Sequence, residues 1–500
     1  MQRKDYYLLG ILLLVTLVIF YPVFSARYLY TDEAVQLWSY RPGSGFYMFI
    51  NQGRWITELL FAGLFGAIKT IDEVTYIRLF SLFGWMICLP VWYSIIKRLV
   101  AKEPAYQYLP FFTCLYLVTS LPFGISIQWG SCLELFLANT SALVSGAVLY
   151  HGIRFTENKF RISPMYAIAG ITIGILSLFT YQCAIGCFLI PFLLHFISRH
   201  TTEKDKVMVA GVVSYFVVYL VYFPLYKGSL LINHIPPFSR ANLYIDPLKK
   251  LPFFFTHPLE RSFWFNAIVF EYSKTARALY KIMLIGWMVF SFIRFGKDYL
   301  KAIKHIIVVL AVFMLSYLPL LIIEEDFASN RTMLALDICV WLVCIEMILH
   351  FIKKVLLLRI AGIAVACTLV VTACYNLRYQ FLKPVTDEFA AIKEYMQHHY
   401  HPGIKTMYVI TTPVDAFIKK YPIHMNMDEY GVPSTAFDWQ LEYLPRQLVF
   451  EMTGNRQTAE QLTIKHWPDK DSFSHSGESI TDSVLLIDLP AIINQGNTPH

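Results

Sequence analysis

Runs of about 20 apolar residues recur along most of this 500-residue chain. That is the length at which a helix spans the hydrocarbon core of a bilayer. Few folds remain open to such a chain. Only 15% of the residues are charged, against about 25% in a soluble domain, so one large water-soluble core is excluded. The first run, Tyr6 to Ala26, directly follows Arg3 and Lys4. It is long and lacks a small-residue cleavage site, so it reads as a retained first helix rather than a removed leader. Further spans are predicted near 75–96, 107–125, 132–150, 164–180, 181–198, 207–224, 276–293, 305–323, 332–352 and 355–375. With the first run they make eleven. The stretch 164–198 is too long for one span and is split near Tyr181.

Loop charge sets the orientation. The stretch 55–68 (WITELLFAGLFGAI) is short and carries Glu58. If it lies on the surface as an interfacial helix, eighteen lysines and arginines fall on one face. They include Arg3, Lys4, Lys97, Arg98, Lys102, Arg199, Arg294 and Lys353. If it crosses, the set is split. The expectation is a cytoplasmic N-terminus in a bacterial inner membrane, with the C-terminus on the periplasmic side. The net charge of +7 is therefore a topology signal, not a nucleic-acid one.

Two units follow: a transmembrane region 1–375 and a small C-terminal α/β domain 376–500. Within the first, 27–74 is an outward loop and 225–275 a second, long one with Pro236, Pro237, Pro247, Pro252 and Pro258. The tail opens with an amphipathic helix (TDEFAAIKEYMQHHY) and has strands in KTMYVIT and SVLLIDL. All nine cysteines lie in or at the ends of apolar runs and read as buried hydrophobes without disulfides.

The candidate chemistry gathers at the outward face. Asp32 and Glu33 follow the first helix, flanked by Tyr28, Tyr30 and Trp38. A half-desolvated carboxylate there suits general-base work; the alternative is a helix cap in which Thr31 or Asp32 caps a helix from Glu33. Arg54 lies in a polar step, NQGRW at 51–55, and Trp129 shortly precedes the outward acid Glu134. Arg78 and Arg331 open spans at the same face, where a guanidinium fork suits a lipid phosphate. Snorkelling, or pairing of Arg331 with Asp326 or Asp337, is the plainer alternative. Glu324, Glu325 and Asp326 close the ninth span and suit an acceptor or a metal. Tyr181 and Gln182 mark the turn between two short helices. Asp337 and Glu346 are intramembrane acids, which suggest function by default. The HHYH run, His398 to His401, reads as a solvated helix terminus. The chain holds no phosphate-binding loop, no dinucleotide fingerprint, no H-E-x-x-H and no G-x-S-x-G.

The order of these features resembles the GT-C superfamily of polyprenyl-phosphate-sugar-dependent glycosyltransferases. A first helix leads to an acidic outer loop, then to an interfacial helix, and the second span opens as IDEVTYIRLFSLFGW and closes on the basic IKRLVAKE. Within that superfamily the chain is most similar to the Gtr-type glucosyltransferases of O-antigen serotype conversion, through Asp32–Glu33, NQGRW and SLFTYQCAI. The likeness covers about residues 1–350. It departs at Glu33, where the family more often has a second Asp, so which acid is the base stays open.

The resemblance implies a GT-C-like membrane fold and an inverting transfer of one sugar from a polyprenyl-phosphate donor to a surface glycan or lipid-linked acceptor, as in lipopolysaccharide modification. Asp32, or else Glu33, would deprotonate the acceptor. Arg331 and Arg78 would hold the donor phosphate, while Arg54, Tyr181, Gln182, Glu325 and Trp129 would shape the sugar or acceptor site. No cofactor is required, and a divalent metal is compatible but not demanded. The rivals are a flippase or transporter of lipid-linked oligosaccharide, against which the absence of an internal repeat counts, and a polysaccharide polymerase or ligase. The latter gains from His234, Arg240, His257 and Arg261 in the second long loop. A non-enzymatic scaffold would leave the outward acids and arginines unexplained.

Overall fold

Each of these apolar runs is helical in the computed structural model, which describes residues 2–100, 106–156, 159–198, 203–236, 238, 243–244, 246–266, 273–352, 354–421, 423 and 429–495. Lys102, Arg199, Pro237, Arg240 and Lys353 lie outside the described residues. Among the latter, eight helices are long and apolar enough to cross a membrane, or nine if the bent pair Leu109–Thr119 and Leu121–Gln128 counts as one span. The chain is thus a multi-pass, predominantly helical membrane protein. The count falls short of eleven because Pro164–Thr180 and Gln182–Ile197 are shorter helices. They meet at Tyr181, whose extended backbone breaks the run. The bent pair turns by 49° at Ser120, where Pro122 in the next helix's first turn forbids continuation.

The structure gives the connections their form. The helix Lys204–Ile232 runs through Pro224, so the second long loop is shorter than 225–275. It is also partly helical, at Pro247–Thr256 and Pro258–Ser262. The stretch 55–68 contains the helix Trp55–Phe65, which buries Thr57, Glu58, Phe61 and Phe65. Eleven residues rise only about 16 Å, too little to span. Trp55 stacks on Phe179 with ring centroids 4.8 Å apart, and Thr57 donates to the Thr180 carbonyl at 2.5 Å. Nor is residue 376 a break in the backbone. Val355–Tyr375 passes through a π-helical segment, Asn376–Leu382, into Lys383–His399. The wider π turns press Phe381 against Tyr30 and Tyr430, at 4.9 and 5.7 Å.

Beyond His399 the chain forms a three-stranded parallel sheet with Thr406–Ile410 in the middle and Thr463–Trp467 and Val484–Asp488 at the edges. Parallel strands need covered faces; Met407 to Ile410 are buried, and the helices Asp438–Thr453 and Leu489–Gln495 pack on the sheet. The strand Thr463–Trp467 has no counterpart in the sequence reading, because its residues TIKHW are mostly exposed and too polar to stand out.

The C-terminal segment grips the loop after the first helix. The helix Glu33–Ser39 packs on Asp438–Thr453. The Arg456 guanidinium lies over the Trp38 ring at 3.8 Å, and Arg41 pairs with Glu460 at 3.2 Å. Gln447 donates to the Lys69 carbonyl at 2.8 Å, and the Ile71 N–H donates to Glu451 at 2.7 Å. Contacts across nearly 400 positions of sequence thus hold the acidic loop in place.

Candidate functional site

Asp32 occupies the N-cap position of the helix Glu33–Ser39, yet its side chain accepts no capping hydrogen bond. The half-buried carboxylate is therefore not engaged in the structural role that sequence alone offered it. Thr31 before it has φ +43°, a conformation that a β-branched residue adopts only under strain. The tail holds it there. The Thr31 N–H donates to Ser434 Oγ at 2.8 Å, and that hydroxyl donates to the Leu29 carbonyl at 3.3 Å. Ser434 and Thr435 are fixed in turn by the buried Glu388, which accepts their backbone N–H groups at 2.9 and 3.2 Å.

Glu33, next along the chain, is built differently. It is fully buried and pairs with the fully buried Arg78 at 2.5 Å. It also accepts the N–H groups of Tyr30 and Gly130 at 2.7 and 2.6 Å. Burial lifts its carboxyl above the usual range, with Arg78 and the two N–H groups pulling against that rise. Arg78 further donates to the Tyr28 carbonyl at 2.9 Å and lies over the Tyr28 ring at 3.5 Å. Gly130 is needed here because a Cβ would come within 2.9 Å of Glu33 Oε1. Neither partner is exposed to solvent. The pair is enclosed by the loop and by Gly130, so in this structure Arg78 meets Glu33 and not the surface.

A second set converges from four stretches of chain. Arg54 forms an ion pair with the buried Glu134 and lies over the rings of Phe49 and Tyr181, at 4.6 and 4.8 Å. Gln182 donates to the Gln52 carbonyl at 2.7 Å and to the Tyr222 hydroxyl at 2.9 Å. Gly53 gives the NQGRW step its form. Its φ is +74°, and a Cβ would strike the Tyr222 hydroxyl at 2.6 Å.

Arg331 faces the same cluster. Its guanidinium lies over Trp129 at 4.8 Å and Phe327 at 5.3 Å, and its side chain keeps 25% exposure. The charges of Arg331 and Arg54 both act on Tyr181. Trp129 packs edge-on against Tyr30 at 5.6 Å, which joins this wall to the Asp32 loop. The carboxylate that Arg331 meets is neither Asp326 nor Asp337 but Glu429 of the C-terminal segment, 4.0 Å from Nε and fully buried. Glu429 also accepts from the Asn330 backbone N–H and side-chain amide, at 3.2 and 3.1 Å, and from the Arg331 N–H at 3.4 Å. Two polar atoms of this wall, Trp129 Nε1 and Glu134 Oε2, are buried without a hydrogen-bond partner. Such atoms carry a cost of about 1–3 kcal/mol each, and a polar ligand would relieve it.

The remaining candidates lie apart or are occupied. Asp326 pairs with Lys249 at 3.0 Å and the buried Lys250 at 2.7 Å. Lys250 also donates to the carbonyls of Glu324 and Glu325, each at 3.3 Å. Glu325 thus sits in a strap two residues before Phe327 at the edge of the cluster. Burial opposes the Asp326 charge, but the two ammoniums outweigh it and hold the carboxyl below its usual range. Asp337 accepts from Ser262 at 2.7 Å, in a small gap also lined by Arg261, Asn330 and Met333. Glu346 pairs with Arg294. Among the described residues no group of three or more His, Cys, Asp or Glu is placed to hold a metal ion.

Trp129, Arg54, Tyr181, Gln182 and Arg331 therefore border one region; the Asp32 loop joins it through Tyr30, and Glu33 and Arg78 are fully buried under that loop's own contacts. Glu429, Ser434 and Tyr222 join it without a sequence signal. EYGVPST at 429–435 reads as an ordinary turn, and its partners lie about a hundred to four hundred positions away. The molecule defined so far is a multi-pass helical membrane protein with an aromatic, doubly cationic cluster covered by its C-terminal segment. No protein-family model, no curated protein and no solved structure matches this chain.

Proposed function

We propose that this protein is an inverting membrane glycosyltransferase that moves one sugar from a polyprenyl-phosphate donor to a glycan or lipid-linked acceptor on the periplasmic side of a bacterial inner membrane. One observation carries the reading. A half-buried carboxylate on a strained loop and a one-quarter-exposed arginine are joined through the Tyr30–Trp129 contact, beside two buried polar atoms without a hydrogen-bond partner, Trp129 Nε1 and Glu134 Oε2. A sugar has hydroxyls for such atoms and an apolar face for Trp129 and Tyr181.

In this reading Asp32 accepts the proton of the acceptor hydroxyl. The oxygen attacks the anomeric carbon from the face opposite the phosphate. The bond from that carbon to the phosphate oxygen breaks, and polyprenyl phosphate leaves with the electron pair. Arg331 meets the charge that grows on the leaving phosphate. Arg54, held by Glu134, shapes the sugar or acceptor side with Tyr181, Gln182 and Trp129. Glu33 and Arg78 keep Asp32 in place, and the reading assigns no step to Glu325.

The test is sugar transfer by purified protein supplied with a panel of radiolabelled polyprenyl-phosphate sugars and the lipid-linked glycans of the source cell. Transfer by the wild type that is lost in a folded Asp32→Asn variant supports the assignment. Equal transfer by both would remove Asp32 as the base. Movement of the labelled lipid across a vesicle membrane without transfer would replace the reading with a flippase.

A further inference from the structure

A cavity of about 930 Å³ lies among the helices Leu109–Thr119, Leu334–Phe351 and Val355–Tyr375. It sits at the end of the bundle away from the C-terminal sheet and apart from every residue of the proposed site. Leu109, Phe112, Ile345, Leu349, Leu358 and Ala366 are among its walls. The helix Val355–Tyr375 stands off the bundle here, and Leu356, Ile360 and Ile363 are 68%, 56% and 65% exposed. It comes close where Phe112 meets Gly362; a Cβ there would lie 2.8 Å from the ring.

Such a volume would hold roughly thirty waters, but each needs two to four polar partners, and away from Tyr106, Gln107, Tyr108 and Arg359 these walls are apolar. Within a bilayer the gap takes hydrocarbon instead. Its lining on the last helix runs from Val355 to Cys367, a rise of about 18 Å. That is close to half of the roughly 30 Å core, so the length fits chains belonging to one leaflet. The mouth is basic. Gln107 and Arg359 line it, with no acidic side chain among the lining residues. Lys4 donates to Gln107 at 3.2 Å and lies over the Tyr108 ring at 5.4 Å. Long cationic side chains at such a depth reach toward headgroups.

We infer that this groove binds one anionic glycerophospholipid, with its acyl chains between the helices and its phosphate at Arg359 and Lys4. The site is independent of sugar transfer and stands or falls without it.

Native mass spectrometry of the delipidated full-length protein tests this, with phosphatidylglycerol and phosphatidylcholine of matched chains added at equal concentration. Two cations at the mouth predict retention of phosphatidylglycerol at least about tenfold above phosphatidylcholine. Arg359→Glu removes that preference. Ala366→Trp, which fills the groove, removes both adducts while the melting temperature holds; Ile348→Trp fills it from the facing helix and is read in the same way should the first variant not fold. Equal retention of both lipids, or adducts that survive in the filled variants, would overturn the proposal. So would displacement of phosphatidylglycerol by equimolar polyprenyl phosphate, which would assign the groove to a long-chain lipid instead.

Discussion

Charge is buried at both ends of this helical bundle, and the two ends treat it differently. At the end covered by the C-terminal segment, Arg54 pairs with Glu134 and Arg331 meets Glu429. Glu346 lies twelve residues along the helix that begins beside Arg331, about 18 Å away. There it pairs with Arg294 and has His305 Nε2 at 3.7 Å. Arg294, His305 and Glu346 are 9%, 2% and 1% exposed. His305 stacks on Phe196 and bonds to Ser291, and Arg294 donates to the Ile197 carbonyl at 2.9 Å. That cluster is closed on all sides by its own protein. The other keeps an arginine one-quarter exposed beside the rings of Trp129 and Phe327. An intramembrane acid is costly in both places, but the cost alone does not mark function. Access is what separates the open cluster from the sealed one.

The sharpest way to break this contrast is to remove one acid at each end. In Asp32→Asn the carboxylate is lost with its shape kept, and transfer should fall by about 10²–10⁴-fold, as for a general base, with thermal stability unchanged. Glu346→Gln should do the reverse. It leaves Arg294 buried without its counter-charge, at a cost of roughly 3–5 kcal/mol in stability, read as a lowered thermal midpoint, while transfer per folded molecule stays at the wild-type level. A Glu346→Gln protein that is stable but inactive would move function to the sealed end.

The same contrast explains what could be read from the sequence. Helices were legible because each apolar run carries its own signal, and the break at Tyr181 was legible because one span cannot hold 35 residues. Span number was less so, since Pro164–Thr180 and Gln182–Ile197 have the composition of spans without the length. Asp32, Arg54, Trp129, Tyr181, Gln182 and Arg331 could be named because charge and aromatic groups at helix ends stand out locally. Their partners could not. Glu33 and Arg78 look alike whether they face a substrate or each other, and only the packing of Tyr28 and Gly130 around them decides. Glu429 and Ser434 sit in a turn with no local peculiarity, and long-range pairing leaves no pattern in one sequence.

Glu429→Gln sharpens the contrast further by leaving the tail in place and removing only its charge from the open cluster. The amide keeps part of the hydrogen bonding to Asn330 but removes the negative charge 4.0 Å from Arg331 Nε. Loss of a buried charge-assisted contact is worth about 1–3 kcal/mol, so Arg331 should lose its fixed position and the donor KM should rise about tenfold or more. The kcat should change less, because Asp32 is untouched. An unchanged KM would make Glu429 only a fastening for the C-terminal segment.

The smallest expected effect lies in a third cluster, neither sealed nor open, where Lys249 and Lys250 hold Asp326 and the strap leading to Phe327. Its two lysines keep the Asp326 carboxyl below the usual 3.8 in the folded protein. A depressed folded value adds stability above the unfolded pKa, and that stability is lost as pH falls through the folded one. Asp326 is one-quarter exposed, so the gain is about 1 kcal/mol or less. The gap in thermal midpoint between wild type and Asp326→Asn should therefore be small but measurable at pH 7, and should narrow below the ordinary carboxylate range. A gap that is the same at both ends of that range would mean the strap is held by the Lys250 bonds to backbone carbonyls alone. Its charge would then belong with neither of the two larger clusters.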